Sequence, residues 1–275
     1  MAAAPADTGT DRFSMAELMA VEMSRNLAAD DGTLGGVGGG ATIPMAAVRL
    51  AMMTVAPNLW WFCGGSAAIN PAFSELPLTA HDPRAFVGAE ARTPMQRTVD
   101  LGMRGTLWGW GFNGGMQVDK YGNCNMIGIG PYDRLKVRGP GTVGTLWTAS
   151  MTKYYLYFWH HSAKVIVDKV DFISSPGFLQ GGDSRWKACR PGSKGPALVY
   201  TPLCVMDFEE NTHRLRLRSV NPGYTVEDVV KNTGCELVIP PSLRHTAPPT
   251  QLEYRLLISQ IDPRRVLKNY RLTIG

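Results

Sequence analysis

The sequence predicts an open, mostly parallel α/β sheet flanked by helices, with additional antiparallel strands attached. Two patterns carry that expectation. A glycine-dense turn over Gly35–Gly40 leads into a helical periodicity at Pro44–Thr54 and then into the aromatic run Leu59–Phe62. That is the order of a βαβ unit, whose strands must lie parallel. Further on, Ala197–Phe208 and Arg214–Val220 flank the polar stretch Glu209-Glu-Asn-Thr-His213, as the arms of a hairpin do.

Each element has a local reason. Residues 1–13, MAAAPADTGTDRF, read as a disordered tail, and one α/β domain is expected over 14–275, because no repeat or linker interrupts it. Ser14-Met-Ala-Glu17 is a capping box opening an amphipathic helix that Asp30-Asp31-Gly32 closes. The Leu59–Phe62 strand is bounded by Pro57 and Gly64. Prolines at 71, 77, 83 and 94 predict long loops between Gly64 and Asp100. Thr106–Phe112, Tyr154–Trp159 and Lys164–Ile173 read as buried strands. Leu215 and Leu217 alternate with Arg214, Arg216 and Arg218, so the second hairpin arm has one wet face. Thr225-Val-Glu-Asp228 caps a helix stopping at Gly234, and Thr250-Gln-Leu-Glu253 caps another stopping before Asp262-Pro263.

Composition narrows the function classes. The 275 residues are 44% hydrophobic and 19% charged, which excludes a disordered chain. The net charge of +5 comes from dispersed basic residues, without the stripe that a nucleic-acid binder presents. Such a weak surplus suits either simple solubility or a polyanionic small ligand. Five cysteines without a CxxC spacing (Cys63, Cys124, Cys189, Cys204, Cys235) argue against a disulfide framework or a metal site and for a reducing compartment. No apolar run is long enough to span a bilayer and the start lacks a secretory pattern, so a cytoplasmic location is expected.

Three segments carry the candidate binding residues. In Gly115-Met-Gln-Val-Asp-Lys-Tyr-Gly-Asn-Cys-Asn125, Asp119 and Asn123 flank the turn pair Tyr121-Gly122 and can fix it by bonding nearby backbone. Gln117 and Asn125 offer directional amides; the segment reads equally as a rigid turn or as a ligand contact. Gly139, Gly141 and Gly144 let backbone N–H groups approach an oxyanion or a phosphate. Asp171-Phe-Ile-Ser-Ser-Pro-Gly177 is the third. His160-His161 reads as structural, and the aromatics Trp60, Trp61, Phe62, Trp108, Trp110 and Phe112 read as core before they read as an acyl pocket.

These three segments, in this order and at these separations, resemble the class I CoA-transferase superfamily, in particular the B-type subunit of glutaconate CoA-transferases. The resemblance extends to the Gly35–Gly40 turn, Ala56-Pro57-Asn58-Leu59, Pro222–Gly234 and Ile261-Asp-Pro263, and covers roughly residues 14–265. It implies a fold shared with sugar-phosphate isomerases, a homologous α subunit in an α2β2 assembly, and an acyl-CoA substrate. No tightly bound cofactor or metal is implied, coenzyme A entering as part of the substrate. Gly38, Gly39, Gly64, Gly65, Gln117, Asp119, Asn123, Asn125, Gly139, Gly141 and Gly144 are the substrate-binding candidates that go with it.

One position departs from the family. Its transferases deliver a glutamate after the second apolar strand, and counting from Ala56-Pro57-Asn58-Leu59 places that glutamate on Cys63. A carboxylate attacks the acyl-CoA and then carries CoA as a glutamyl thioester. A thiol can accept an acyl group but has no carbonyl on which to carry CoA. Glu75 and Glu90 are the nearest acids downstream, neither at the family's position. Relatives that lack the glutamate include a decarboxylase with cysteine at this place and ring-opening hydrolases of steroid breakdown. The resemblance therefore implies a C–C bond-cleaving acyl-CoA enzyme with Cys63 as the catalytic candidate. The alternatives are a transferase using another carboxylate and a non-catalytic acyl-CoA-binding subunit.

Overall fold

The computed structural model describes residues 13–37, 41–64, 67–94, 96–97 and 109–275. Its described residues pack as two compact units. One runs to Phe112 and resumes over Ala247–Leu272; the other comprises Asn113–Thr246 with Thr273–Gly275.

In the first unit, helix α1 (Met15–Asn26) opens on the expected capping box, Ser14 Oγ accepting from Glu17 N and Glu17 returning a bond to Ser14 N. Strand β1 (Leu34–Val37) leads to helix α2 (Thr42–Met53) and strand β2 (Trp60–Cys63). β1 pairs in parallel with β2 on one side and with β5 (Trp110–Asn113) on the other. The predicted βαβ unit is thus present. Gly35 is needed here for closeness, since a Cβ at this position would overlap the Trp110 ring. The indoles of Trp61 and Trp110 are fully buried and Phe62 and Phe112 are buried, the core placement expected of the aromatics, whereas Trp60 is exposed and departs from it; Trp108 lies outside the described residues.

The segment after β2 differs from the loops that its prolines predict. Two short strands, β3 (Ala68–Ile69) and β4 (Ala91–Arg92), add antiparallel to β2 in turn. Asn70, in the left-handed region at φ 46°, substitutes its side chain for a strand neighbour: its Oδ1 accepts from Trp61 N at 2.9 Å. A polar residue thus continues a ladder that no periodicity announces.

In the second unit, β6 (Gln117–Asp119) turns into β7 (Cys124–Asn125), followed by the small hairpin β8 (Gly128–Ile129) and β9 (Val137–Arg138). β10 (Tyr154–Tyr157) precedes β11 (His160–His161) and β12 (Ile166–Val167). The strand predicted over Lys164–Ile173 shrinks to β12, because Asp168, Lys169, Asp171 and Ile173 are exposed and only Ile166 and Val170 turn inward. Helix α3 (Ser184–Ala188) is followed by β13 (Pro196–Tyr200), β14 (Cys204–Phe208) and β15 (Leu215–Val220). The single arm predicted over Ala197–Phe208 is two strands. Pro202 has no N–H for a ladder, and Thr201 Oγ1 accepts the N–H groups of Leu203 and Cys204 at 3.3 and 3.2 Å, which turns the chain. β10 and β13 run parallel, while β13, β14 and β15 are antiparallel. Leu215 and Leu217 are buried and the intervening arginines half-exposed, as the alternation predicts. Helix α4 (Val226–Asn232) starts at the Thr225 capping box, and β16 (Arg244–His245) pairs in parallel with β15.

The chain then returns to the first unit with helix α5 (Gln251–Leu256), capped by Thr250, and a π-helical turn Leu257–Ile261. β17 (Thr273–Ile274) pairs with β11 in the second unit. The predicted class is what forms: a mixed α/β fold with parallel sheet centres and appended antiparallel strands. No helix among the described residues is long and apolar enough to cross a membrane.

Of the histidine pair, His161 is fully buried. Thr233 Oγ1 donates to Val229 O at 2.7 Å, so it accepts from His161 Nε2 at 3.1 Å. Nδ1 lies 2.8 Å from Thr201 Oγ1, a hydroxyl that also donates to Cys204 O at 3.1 Å. Burial, reinforced by His160, lowers the imidazole from 6.5 to about 4. Between those values the unfolded chain binds the proton and the folded chain does not. His161 should therefore contribute stability that is complete above pH 6.5 and lost as pH falls towards 4, a loss of about 3 kcal/mol. Urea unfolding at pH 7.5 and pH 4.5 should show a steeper acid loss for the natural chain than for His161→Gln. For Gly35→Ala, the clash with an immobile indole should remove about 1–3 kcal/mol at any pH.

Candidate functional site

Cys63 is the last residue of β2, where a parallel strand presents its carboxyl end, the place at which open α/β sheets bind ligands. Its backbone is level with Val37 of β1, which is in turn level with Phe112 of β5. The side chain is fully buried. Sγ lies 3.6 Å from the carbonyl oxygen of Ala80 and 3.9 Å from Met45 Sδ on α2, both acceptors, so the thiol acts as donor. Gly64 N donates to Val37 O at 2.7 Å, continuing the parallel ladder, and Ala67 N closes the turn onto Cys63 O at 2.9 Å. Ala67 has φ 57°, a conformation uncommon for alanine. Gly38, Gly39 and Gly65 lie outside the described residues.

The two acids considered as substitutes are already engaged. Glu75 pairs with Arg264 at 2.9 Å and with Arg84 at 3.7 Å. Glu90 Oε2 accepts from Asn70 Nδ2 at 3.1 Å, the same Asn70 that holds β2 through Trp61.

In the second unit the polar motif forms a clamp. Asp119 Oδ1 accepts from Tyr121 N and Asn123 N at 3.0 and 3.1 Å, and Oδ2 from Asn123 Nδ2 at 3.0 Å. These are the side-chain bonds expected to fix the turn. Burial raises Asp119 above the usual carboxylate value, against the lowering effect of its hydrogen bonds. Asn123 Oδ1 accepts from Gly177 N and Leu179 N at 2.9 and 3.1 Å, and Nδ2 also donates to Leu179 O at 2.8 Å. Asn125 Nδ2 donates to Gln117 Oε1 at 2.7 Å and Gly128 O at 2.8 Å, while its Oδ1 accepts from Ile127 N at 2.9 Å. The amides of Asn123 and Asn125 are thus occupied inside the unit. Gly177 must be glycine, because a Cβ would overlap the Gly122 backbone.

The glycine-rich loop is similarly engaged. Gly139 N donates to Ile127 O at 2.9 Å and Gly141 N to Met126 O at 3.1 Å, so both point at carbonyls of their own unit. Gly141 has φ 89° and Gly144 caps the short turn Thr145–Ala149.

Two residues escape sequence reasoning. Arg185 on α3 is fully buried and has no carboxylate among its hydrogen-bond partners; its guanidinium donates to Pro176 O, Gly177 O, Thr148 O and Ser193 Oγ. It ties the Ser-Ser-Pro-Gly segment to two other loops, and no pattern in Ser184-Arg-Trp-Lys marks it. Asn113, the last residue of β5, is buried and its Nδ2 has no hydrogen-bond partner among the described residues. An unsatisfied buried amide costs about 1–3 kcal/mol, which a ligand acceptor would recover. The Asn-Gly-Gly that ends an aromatic strand is the signal that could have shown it.

The match to known proteins follows the same ground. Residues 19–232 match the family described as coenzyme A transferase. The chain belongs to the coenzyme A transferase family. Its curated relatives in that family include the B-type subunit of 3-oxoadipate CoA-transferase from Pseudomonas knackmussii, 34% identical over 89% of this chain and 92% of the relative. The cholesterol ring-cleaving hydrolase IpdB subunit of Rhodococcus jostii is 28% identical over 82% of this chain and 83% of its own length. The crystal structure of glutaconate coenzyme A-transferase from Acidaminococcus fermentans superposes with a TM-score of 0.84 at 26% identity, covering 94% of this chain and 98% of that one. The relatives of this chain thus include both a transferase subunit and a ring-cleaving hydrolase subunit.

The remaining cysteines differ in reactivity for physical reasons. Burial pushes the Cys124 thiol well above its ordinary value, Cys204 up to about 12 and the half-buried Cys235 up to about 12. Cys189 is partly exposed. Iodoacetamide at pH 8 should therefore label Cys189 first among these four, with Cys124 and Cys204 protected until the chain unfolds. Peptide mass spectrometry at timed intervals reads this order, and equal labelling of Cys124 and Cys189 would contradict the packing described.

Proposed function

We propose that this chain is the B-type subunit of a heteromeric enzyme acting on an acyl-CoA thioester, and that its reaction is C–C bond cleavage rather than transfer of CoA between acids. The observation that carries the reading is the thiol at the carboxyl end of β2, the position at which the family resemblance expects a glutamate. Transfer through this residue fails on chemical grounds, because sulfur cannot hold CoA as an acyl thioester of its own carbonyl. Decarboxylation or ring-opening hydrolysis needs no such carrier. In decarboxylation the breaking bond leaves its electron pair in the thioester enolate, carbon dioxide departs, and a proton returns to carbon.

Cys63 donates in its present contacts, which suits a proton donor better than a nucleophile. An enolate oxygen needs fixed hydrogen-bond donors. The N–H of Gly64, beside Cys63, is engaged with the Val37 carbonyl, so this reading takes the oxygen donor from the partner subunit. The thiol is covered in the isolated chain, so this reading requires the partner subunit or the substrate to open it.

A second reading keeps the transferase activity. It is favoured by the 34% identity to a 3-oxoadipate CoA-transferase subunit and requires a carboxylate other than residue 63.

The two are separated with the partner subunit present. Product analysis on carboxylated and β-keto acyl-CoAs should show carbon dioxide or a ring-opened acid, and labelled acceptor acids should gain no CoA. Cys63→Ala should lower kcat/KM by about 100-fold or more, as removal of a general acid does. Undiminished turnover in that variant sinks the assignment of Cys63. CoA exchange into labelled acids would establish the transferase, and silence in both assays would leave an acyl-CoA-binding subunit.

A further inference from the structure

The connection between β3 and β4 closes on itself. Ala72 N donates to Val87 O at 3.0 Å, so residues 72–87 leave and return at one place, as an Ω-loop does. Gly88 stands at that closure with φ 62°, and a Cβ there would lie 2.9 Å from the Ala72 Cβ. Phe73, Leu76, Ala80 and Ala85 turn inward, and the Phe73 ring meets Trp61 of β2 edge to face at 6.4 Å. The body of the loop is therefore anchored on the core of the first unit.

Its tip lies on the thiol and is anchored differently. Ala80 O is the acceptor 3.6 Å from Cys63 Sγ. From beneath, Thr42 Oγ1 at the start of α2 donates to Leu78 O at 2.6 Å, one turn before the Met45 that also touches the thiol. On the outer side Leu78 N donates to Asp82 Oδ2 and Asp82 N to Thr79 O, both at 3.1 Å, while Arg84 Nε holds Asp82 Oδ1 at 3.0 Å. Those outer bonds are internal to the loop and would travel with it. Within residues 78–82 the one buried side chain is Ala80; Leu78, Thr79 and His81 are exposed. A methyl group buries little apolar area, so lifting the tip costs far less than unfolding the sheet. The bond that ties this tip to α2 is the Thr42 hydroxyl.

We propose that residues 78–82 are a lid over Cys63, fastened to α2 by the Thr42 hydroxyl, which lifts as a local unit and admits a reactant to the thiol. A lid of this kind lets a fully buried thiol at a strand end react while β1 and β2 stay paired. Lids that close over reacting groups are commonly loops anchored at both ends, with few contacts at the tip. The use of the lid in turnover rests on the reading of Cys63 as the reacting group, whereas the lid itself is tested without turnover.

The test is alkylation of the full chain by iodoacetamide at pH 8, followed at the Cys63 peptide by mass spectrometry over a series of urea concentrations below the unfolding transition. A local opening exposes little surface, so the Cys63 rate should rise only weakly with urea. Cys204, buried within β14, should instead follow the full slope of global unfolding. Thr42→Val removes the hydroxyl and keeps the shape, and should speed Cys63 labelling by about 10-fold, the loss of one buried hydrogen bond. Asp82→Ala, which frees Leu78 N, should speed it in the same direction. Thr54→Val deletes a similar bond at the far end of α2, Oγ1 to Leu50 O at 2.6 Å, and should leave the rate unchanged. Thermal melts show which variants keep the fold, and the urea slope of the natural chain decides even if one does not. A Cys63 slope equal to that of Cys204 overturns the lid, because the thiol would then react only on unfolding. An unchanged Cys63 rate in both Thr42→Val and Asp82→Ala, or an equal rise in Thr54→Val, overturns it as well. Full turnover in Cys63→Ala would remove the thiol from the reaction and leave these labelling results as they are.

Discussion

The level at which β1, β2 and β5 end depends on the packing of one indole against one glycine. Trp110 lies over Gly35 at a distance that no side chain could tolerate. This close approach accompanies the parallel pairing of β5 with β1, and the β1–β2 register then sets Val37 beside Cys63. Parallel pairing makes all three strands finish in the same direction. That is why the chemistry of the unit gathers at one end of its sheet, and why residues 63 and 112, far apart in sequence, both align with Val37. A shift of one residue in β2 would turn Cys63 to the other face and replace it by Phe62.

In the second unit a different constraint does the equivalent work. Segments separated by tens of residues are locked by buried side chains in addition to short backbone bridges such as Cys124–Ser175. Asn123 alone joins the Asp119 turn to Gly177 and Leu179, and Arg185 gathers the carbonyls of Thr148, Pro176 and Gly177. A buried guanidinium held only by neutral oxygens carries a large desolvation penalty unless its hydrogen bonds are well made. Four hydrogen bonds to neutral oxygens answer that penalty here. Segments that read from sequence as ligand contacts are thus the means by which loops without regular structure acquire a single conformation.

The sequence showed this fold wherever one physical rule decided the outcome. Ser14, Thr225 and Thr250 opened helices because a hydroxyl and a carboxylate three residues on close a reciprocal bond. The wet alternation of β15 and the βαβ order were legible for the same reason, each resting on a single period. It was opaque where two rules competed. Val165 to Val170 has strand-forming residues but is flanked by charges that solvent claims, and tertiary context reduced it to two residues. The turn at Thr201–Leu203 was hidden because a side-chain acceptor and a proline act together inside an apolar run. Asn125 was equally open to an inward or outward reading, since its amide is the same group in both cases. Only the positions of Gln117 and Gly128 decide between them.

The glycines near the carboxyl strand ends illustrate a general point about oxyanion stabilisation in this fold. A glycine-rich turn looks like a nest of free N–H groups, yet Gly64, Gly139 and Gly141 each hold a backbone carbonyl, and an N–H already bonded cannot answer a charge that develops later. The donor that can do so is one left unpaired at the resting stage, and its cost must be met by the surrounding core. Asn113, at the start of the second unit, has that property: its amide nitrogen is buried and has no acceptor among the described residues.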